Sequence, residues 1–260
     1  ALITFLVIFF LLVSILFSLS RTVIKYFDFK LLKRTESYRI ESGLFNKKSV
    51  IIPHQKVQEL NWETGPLKKL FGIYHIVLKQ AVSGQNRHQQ VVDVPGCMAG
   101  HMVKLKRDLF GEDRLLKVHP IYSDKFYFRR LWMLMGWFPV IFATPFFYAS
   151  LIFWLSGTIW LTGAAGYSYL ILKKRYFRMN DKQIRISKGA VSHKWEQMEL
   201  HKIQAVELRQ TIFQKRRSLA SLRLMNASGT LTIPYIEEIV AKKIYNYLLY
   251  HTEKSSKRWM

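Results

Sequence analysis

With 260 residues, 50% of them hydrophobic, and 40 Lys+Arg against 17 Asp+Glu, the chain carries a net charge of +23 and a pI near 10.1. In a soluble protein that excess would suggest nucleic acid; here it flanks long uncharged runs, so no nucleic-acid partner is expected and the basic residues are assigned to a membrane surface. The single cysteine, Cys97, excludes an intramolecular disulfide and a multi-cysteine zinc site.

Residues 1–20 contain no charged side chain and, as a helix, are long enough to cross a hydrocarbon core of ~30 Å. They are predicted to be a transmembrane helix. A signal peptide's basic start and small-residue cleavage site are not present, and because the chain opens at Ala inside the apolar run, an upstream portion is expected. Residues 21–36 read as a basic juxtamembrane linker and residues 37–111 as a first module, in which SYRIES before Gly43 predicts a strand leading into a tight turn. Leu67, Leu70 and Phe71 predict one helical turn closed by Gly72, with Leu70 and Phe71 tucked against the module; Tyr74, Ile76 and Leu78 alternate as a half-buried strand. HMVKLKRDLFG, ending at Gly111, predicts a short closing helix, and residues 112–130 a linker.

Residues 131–172 run without a charge between Arg129-Arg130 and Lys173-Lys174-Arg175. That length predicts a transmembrane helical hairpin, turning near Ser156-Gly157 or Gly163, with kinks at Pro139 and Pro145. Residues 173–252 form a second module. It is expected to close with an amphipathic helix that has Pro234 in its first turn and Ile236, Ile239, Val240, Ile244, Tyr247 and Leu248 on one face. Residues 253–260 are a polar tail. Since Lys and Arg flank cytoplasmic ends of spans, both modules are assigned to the cytoplasmic side of a multi-pass cell-membrane protein.

The modules repeat at an offset of 146 residues, the separation of Arg39 from Arg185. Gly43 falls on Gly189, and Lys56-Val57-Gln58 on Lys202-Ile203-Gln204. Apolar alternation changes phase after Val57 and after Ile203, which predicts a shared β-bulge or bend. The copies differ where Lys69-Leu70-Phe71 becomes Lys215-Arg216-Arg217, so the second is expected to lack the apolar turn.

The stretches YRIESGLFNKKSVIIPHQKVQELNWETGPLKKLFG (Tyr38 to Gly72) and KIQAVELRQTIFQKRRSLASL (Lys202 to Leu222) resemble the YdbS/YdbT-like family of bacterial PH-like (pleckstrin-homology-like) membrane proteins. The resemblance implies a membrane protein of α+β class: transmembrane helices plus two PH-like β-barrel or sandwich modules, each closed by a C-terminal helix. It leaves the activity open.

No phosphate-cradling, dinucleotide, zinc-protease or nucleophile-elbow motif occurs, and Cys97 with His101 falls short of the three or four ligands zinc takes. The chain is therefore expected to be no enzyme and to hold no cofactor, metal or small-molecule substrate. The favoured function is a membrane-anchored scaffold that docks a protein partner or itself. One alternative is binding or handling of membrane lipids, anionic ones included. Another is a transporter or channel component, opposed by the lack of ionisable residues between 131 and 172. Candidate lipid or partner contacts are Lys215, Arg216 and Arg217; Lys30, Lys33, Arg34, Arg129, Arg130, Lys173, Lys174 and Arg175 are assigned to the juxtamembrane basic sets.

Overall fold

The computed structural model describes residues 2–81, 91–147 and 150–254. They divide into two compact units, residues 1–57 and 58–260. Most of the predicted polar tail, residues 255–260, lies outside the described residues.

In the first unit, α1 (Leu2–Tyr26) precedes an antiparallel sheet of β1 (Lys30–Lys33), β2 (Ser37–Ser42) and β3 (Lys48–Pro53). Within α1, Phe5–Tyr26 has a mean hydropathy of 2.3 and is, among the described residues, the one helix long and apolar enough by itself to cross a membrane. The predicted linker is not irregular: Arg21 and Lys25 continue the helix, and Lys30 and Lys33 lie in β1, opposite Glu41 and Tyr38. Gly43, at φ 116°, turns β2 into β3, and a Cβ there would overlap the Asn46 carbonyl oxygen. The turn's N–H groups cap the helix end, Gly43 donating to the Phe27 carbonyl at 2.9 Å and Leu44 to that of Ile24 at 3.1 Å.

The second unit begins with β4 (Val57–Thr64), whose first residue is at the boundary, then α2 (Pro66–Leu70), β5 (Ile73–Gln80), β6 (Val91–Met98) and α3 (Ala99–Phe110). The predicted linker 112–130 holds a 3-10 turn, Arg114–Lys117, the short β7 (Ile121–Tyr122) and the start of α4 (Phe126–Trp132). A π-helical turn, Met133–Trp137, joins α4 to α5 (Phe138–Phe147), and α6 (Leu151–Lys173) runs back. Next come β8 (Tyr176–Met179), β9 (Gln183–Lys188), β10 (His193–Glu199) and β11 (Ala205–Arg209). The chain continues through α7 (Ile212–Lys215), β12 (Leu219–Asn226), β13 (Gly229–Glu237) and α8 (Glu238–Lys254). Strands β1, β2 and β5 recur as β8, β9 and β12 at the repeat offset, residue for residue.

Three local expectations need correcting. The phase change after Val57 and Ile203 is the bend of the two alternatives, not the bulge: each residue caps a 3-10 turn, His54–Lys56 or Leu200–Lys202. The register shifts sit one strand later, between Tyr74 and Ile76 and between Ala220 and Leu222. The hairpin does not turn at Ser156-Gly157 or Gly163, which lie inside α6. A Cβ on Gly157 would sit 4.0 Å from Val140 and one on Gly136 3.4 Å from Ala164, so small residues let the helices approach. Pro234 belongs to β13 rather than to a helix; α8 starts at Glu238, buries Ala241, Ile244 and Leu248, and leaves Ile239 exposed.

Seven strands form one sheet in the order β6-β5-β4-β10-β9-β8-β7. Strand β4 of the first copy thus pairs antiparallel with β10 of the second, Trp62 opposite Trp195 with rings stacked 5.8 Å apart. Behind this seam, Arg185 donates to Asp113 at 2.6 Å and to Gln197 at 2.9 Å, and Lys106 also bonds Asp113. Burial pushes the Asp113 carboxyl up, but the hydrogen bonds from Lys106 and Arg185 outweigh it and hold the group below the usual range. The core of the second copy packs α8 over β11-β12-β13, with Leu222, Leu224, Ile233 and Leu248 among its buried members.

Candidate functional site

Each of the two turns expected to differ most carries exposed apolar side chains. In α2 and at its C-cap, Leu67, Leu70 and Phe71 are 76%, 79% and 72% exposed, not tucked against the strands. In α7, Ile212 and Phe213 are 74% and 76% exposed, so the second copy keeps an apolar turn after all, displaced toward its N-terminal end. A capping box fixes that turn: Thr211 accepts from the Gln214 N–H while the Gln214 side chain accepts from the Thr211 N–H. T-x-x-Q was legible at 211–214; the exposure it enforces was not.

The α7 turn faces the base of α4 across a cavity of about 860 Å³. Its lining is partly apolar, with Met133, Leu134, Ile212 and Phe213, and partly cationic, with Arg129, Arg130 and Arg217. Two of these guanidinium groups are held by aromatic faces. Arg217 lies 3.2 Å from the centre of the Phe126 ring, and Arg130 lies 5.9 Å from that of Tyr235, to whose hydroxyl it donates at 3.4 Å. Among the described residues, none of the three has a carboxylate partner. Tyr235 reaches this place because the Pro234–Tyr235 step is a bulge: Leu222 pairs with Ile233 and Ala220 with Ile236, and Tyr235 sits at φ 54°.

Of the predicted run Lys215-Arg216-Arg217, only Arg217 lines the cavity. Lys215 lies within electrostatic reach of Glu238, and Arg216 stays exposed outside it. The juxtamembrane set divides likewise. Arg34 connects β1 and β2, its N–H donating to the Ser37 carbonyl at 2.8 Å. Lys173 ends α6; Lys174 donates to the carbonyls of Ala190 and Val191, at 2.9 Å for the latter, and Arg175 donates to that of Thr232 at 3.2 Å. The second β-hairpin turn is thereby tied to the end of α6, much as the first is tied to α1. Sequence reasoning missed Phe126, Ile212, Phe213 and Tyr235; T-x-x-Q marks the turn of the middle two, and nothing local marks Phe126 or Tyr235, near which Ser123 donates to the Pro234 carbonyl at 2.8 Å.

His193 also sits at the hairpin base. Burial, then Lys174 and Lys69, lower its pKa to about 4; the ring stacks 3.9 Å from Trp195 and meets Ser187 Oγ at 2.6 Å. Cys97 is buried, its thiol pushed up in pKa, and among the described residues no three His, Cys, Asp or Glu are placed to hold a metal ion.

The sequence matches the family model described as Bacterial PH domain twice, over residues 1–109 and 132–252. The first match covers α1 and ends in the closing helix α3, and the second starts at the last residue of α4 and ends in the closing helix α8, so the unit that repeats is helix plus module. No curated protein matches the chain.

Proposed function

The chain belongs to the bacterial PH domain family, and from that premise we propose that it is a non-enzymatic, multi-pass membrane scaffold whose two PH-like modules rest on the anionic cytoplasmic leaflet. The observation that carries this reading is the pair of exposed apolar turns, α2 and α7, set beside cations at the base of the helical hairpin. Position supports it: Phe213 lines the same cavity as Arg129 and Arg130, and Lys69 acts on the same histidine as Lys174. Such a surface matches the bilayer interface, where apolar side chains enter the acyl boundary and Lys and Arg meet anionic head groups.

The hairpin supports the membrane assignment in the same way. Phe138, Phe142, Ile152 and Ile159 are 65% to 76% exposed along α5 and α6, a surface unfavourable in water and suited to lipid. The α4–π–α5 arm and α6, each about 33 Å long at ~1.5 Å per residue, are adequate for ~30 Å of hydrocarbon. Trp132 and Trp160 each donate an indole N–H to a carbonyl of the opposing helix, at 3.3 and 3.0 Å, which satisfies their polar atoms away from water.

The test uses the full chain with Cys97 replaced by Ser and single cysteines at Leu67, Phe213 or Thr230. In anionic nanodiscs, fluorophores at the first two positions are expected to be quenched by lipid-borne nitroxide, and one at Thr230, at the start of β13, to remain in water. Thr230→Cys should be labelled by an impermeant thiol reagent only after cells are lysed. Quenching at Thr230 and none at the turns, or labelling of sealed cells, would discard the proposal.

A further inference from the structure

Phosphate recognition in a membrane protein needs donors that are fixed, uncompensated and close to lipid depth. The cavity between α4 and α7 meets the first two through Arg130 and Arg217, and the leaflet-seated reading above supplies the third. Two of the cavity's guanidinium groups, those of Arg130 and Arg217, lie against aromatic rings, and among the described residues none of the three has a carboxylate partner, so N–H edges are left for an anion. The same cavity is lined by the first apolar residues of the hairpin, Met133 and Leu134, and by Phe213. Its volume falls within the ~300–1,000 Å³ of small-molecule sites and exceeds what a free phosphate would fill.

We propose that this cavity holds one anionic phospholipid, the phosphate taken by Arg129, Arg130 and Arg217 and the upper acyl chain laid along Met133, Leu134 and Phe213. The assignment rests on the leaflet-seated reading above and adds a specific ligand to it. It also separates the modules. At the repeat offset, Arg217 corresponds to Phe71 and Arg216 to Leu70, so the α2 turn has apolar side chains where the second copy has guanidinium groups. The lipid site therefore belongs to the second copy, while the exposed apolar turn belongs to both.

The experiment is native mass spectrometry of the full chain released from bilayers of phosphatidylglycerol mixed with phosphatidylcholine. Retention of phosphatidylglycerol, no retention of phosphatidylcholine and no displacement by excess inorganic phosphate are expected. Arg130→Gln with Arg217→Gln should weaken retention about a hundredfold, on the order of tenfold for each charge-assisted hydrogen bond removed, and Arg130→Lys with Arg217→Lys should weaken it by less. Arg216→Gln, the same charge change on the neighbouring exposed residue, should leave it unchanged. Equal weakening by Arg216→Gln would reduce the effect to diffuse attraction and overturn the site, as would equal retention of phosphatidylcholine or displacement by phosphate. Unchanged circular dichroism of each variant guards against misfolding. If the fluorophore at Leu67 is lipid-quenched while no phosphatidylglycerol is retained, the site is wrong and the seating stands; loss of both overturns both.

Discussion

His193 shows how one side chain can make the C-terminal unit sensitive to acid. Ser187 Oγ donates to the Lys174 carbonyl at 2.7 Å, so its remaining interaction with His193 takes the Nε2–H as donor and leaves Nδ1 as the site of the second proton. A proton added at Nδ1 would place a cation in a half-buried site already facing Lys174 and Lys69. With the folded pKa about 4 and the ordinary value 6.5, the unfolded chain binds the extra proton first, so the stability contribution is complete above pH ~6.5 and lost as pH falls toward ~4. Denaturant midpoints in nanodiscs between pH ~7.5 and ~5 should fall for the parent chain and fall less for His193→Phe, which keeps the Trp195 stack. Equal slopes would remove His193 as the cause.

Asp113 is the second residue with outsized influence. Arg185 is 6% exposed and Lys106 13%, and one carboxylate answers both. Asp113→Asn leaves two buried cations side by side near the Trp62 ring, and should cost about 3 kcal/mol or more by denaturant unfolding. Lys106→Met removes the less buried partner of the same carboxylate and is expected to cost less. The reverse order would mean that packing, not charge, holds α3 to β9.

At the scale of elements, the turns and short strands were legible because their causes are local. Gly43 and Gly189 mark turns at φ 116° and 123° that exclude a Cβ, and Gly111 ends α3 at φ 73°, as the glycines indicate in the sequence. Gly189→Ala should therefore destabilise the unit by about 1–3 kcal/mol, read as a lowered midpoint, through strain and overlap with the Ser192 carbonyl. The β4–β10 seam was illegible because nothing local to either strand states which edge its partner comes from. Its chemistry is explicit only once paired: Lys194 meets Glu63 at 2.5 Å across the seam. Reversing either charge alone should lower stability, and Lys194→Glu with Glu63→Lys should recover part of it, by up to about 1 kcal/mol for a pair this exposed. The same limit hid the groove, whose residues come from α4, α7 and β13, far apart in sequence.

At the scale of the molecule, the repeat conserves exposure where it does not conserve sequence. Phe45, at 82%, and Val191, at 59%, occupy equivalent places in the two β-hairpin turns, and Leu67 and Phe213 equivalent places in α2 and α7. The surrounding residues diverge, Lys68-Lys69-Leu70-Phe71 against Gln214-Lys215-Arg216-Arg217, so the shared feature is an apolar projection at matching turns of the two copies. Packing within the chain does not account for it, because these side chains touch little. On the proposed seating, each large apolar group moved from water into lipid contributes about 2 kcal/mol. Replacing Leu67, Leu70 and Phe71 together with Ser should therefore leave unfolding of the chain in detergent within ~0.5 kcal/mol of the parent, as for other exposed sites. In nanodiscs the same variant should lose protection of amides 65–72 from hydrogen exchange, and a fluorophore at Lys68→Cys should lose its lipid quenching. The effect should persist in high salt, where screening over ~3 Å at ~1 M removes the cationic share but not the apolar one. A variant that keeps both protection and quenching would show that the α2 turn is an ordinary solvated corner, and the seating would then rest on α7 alone.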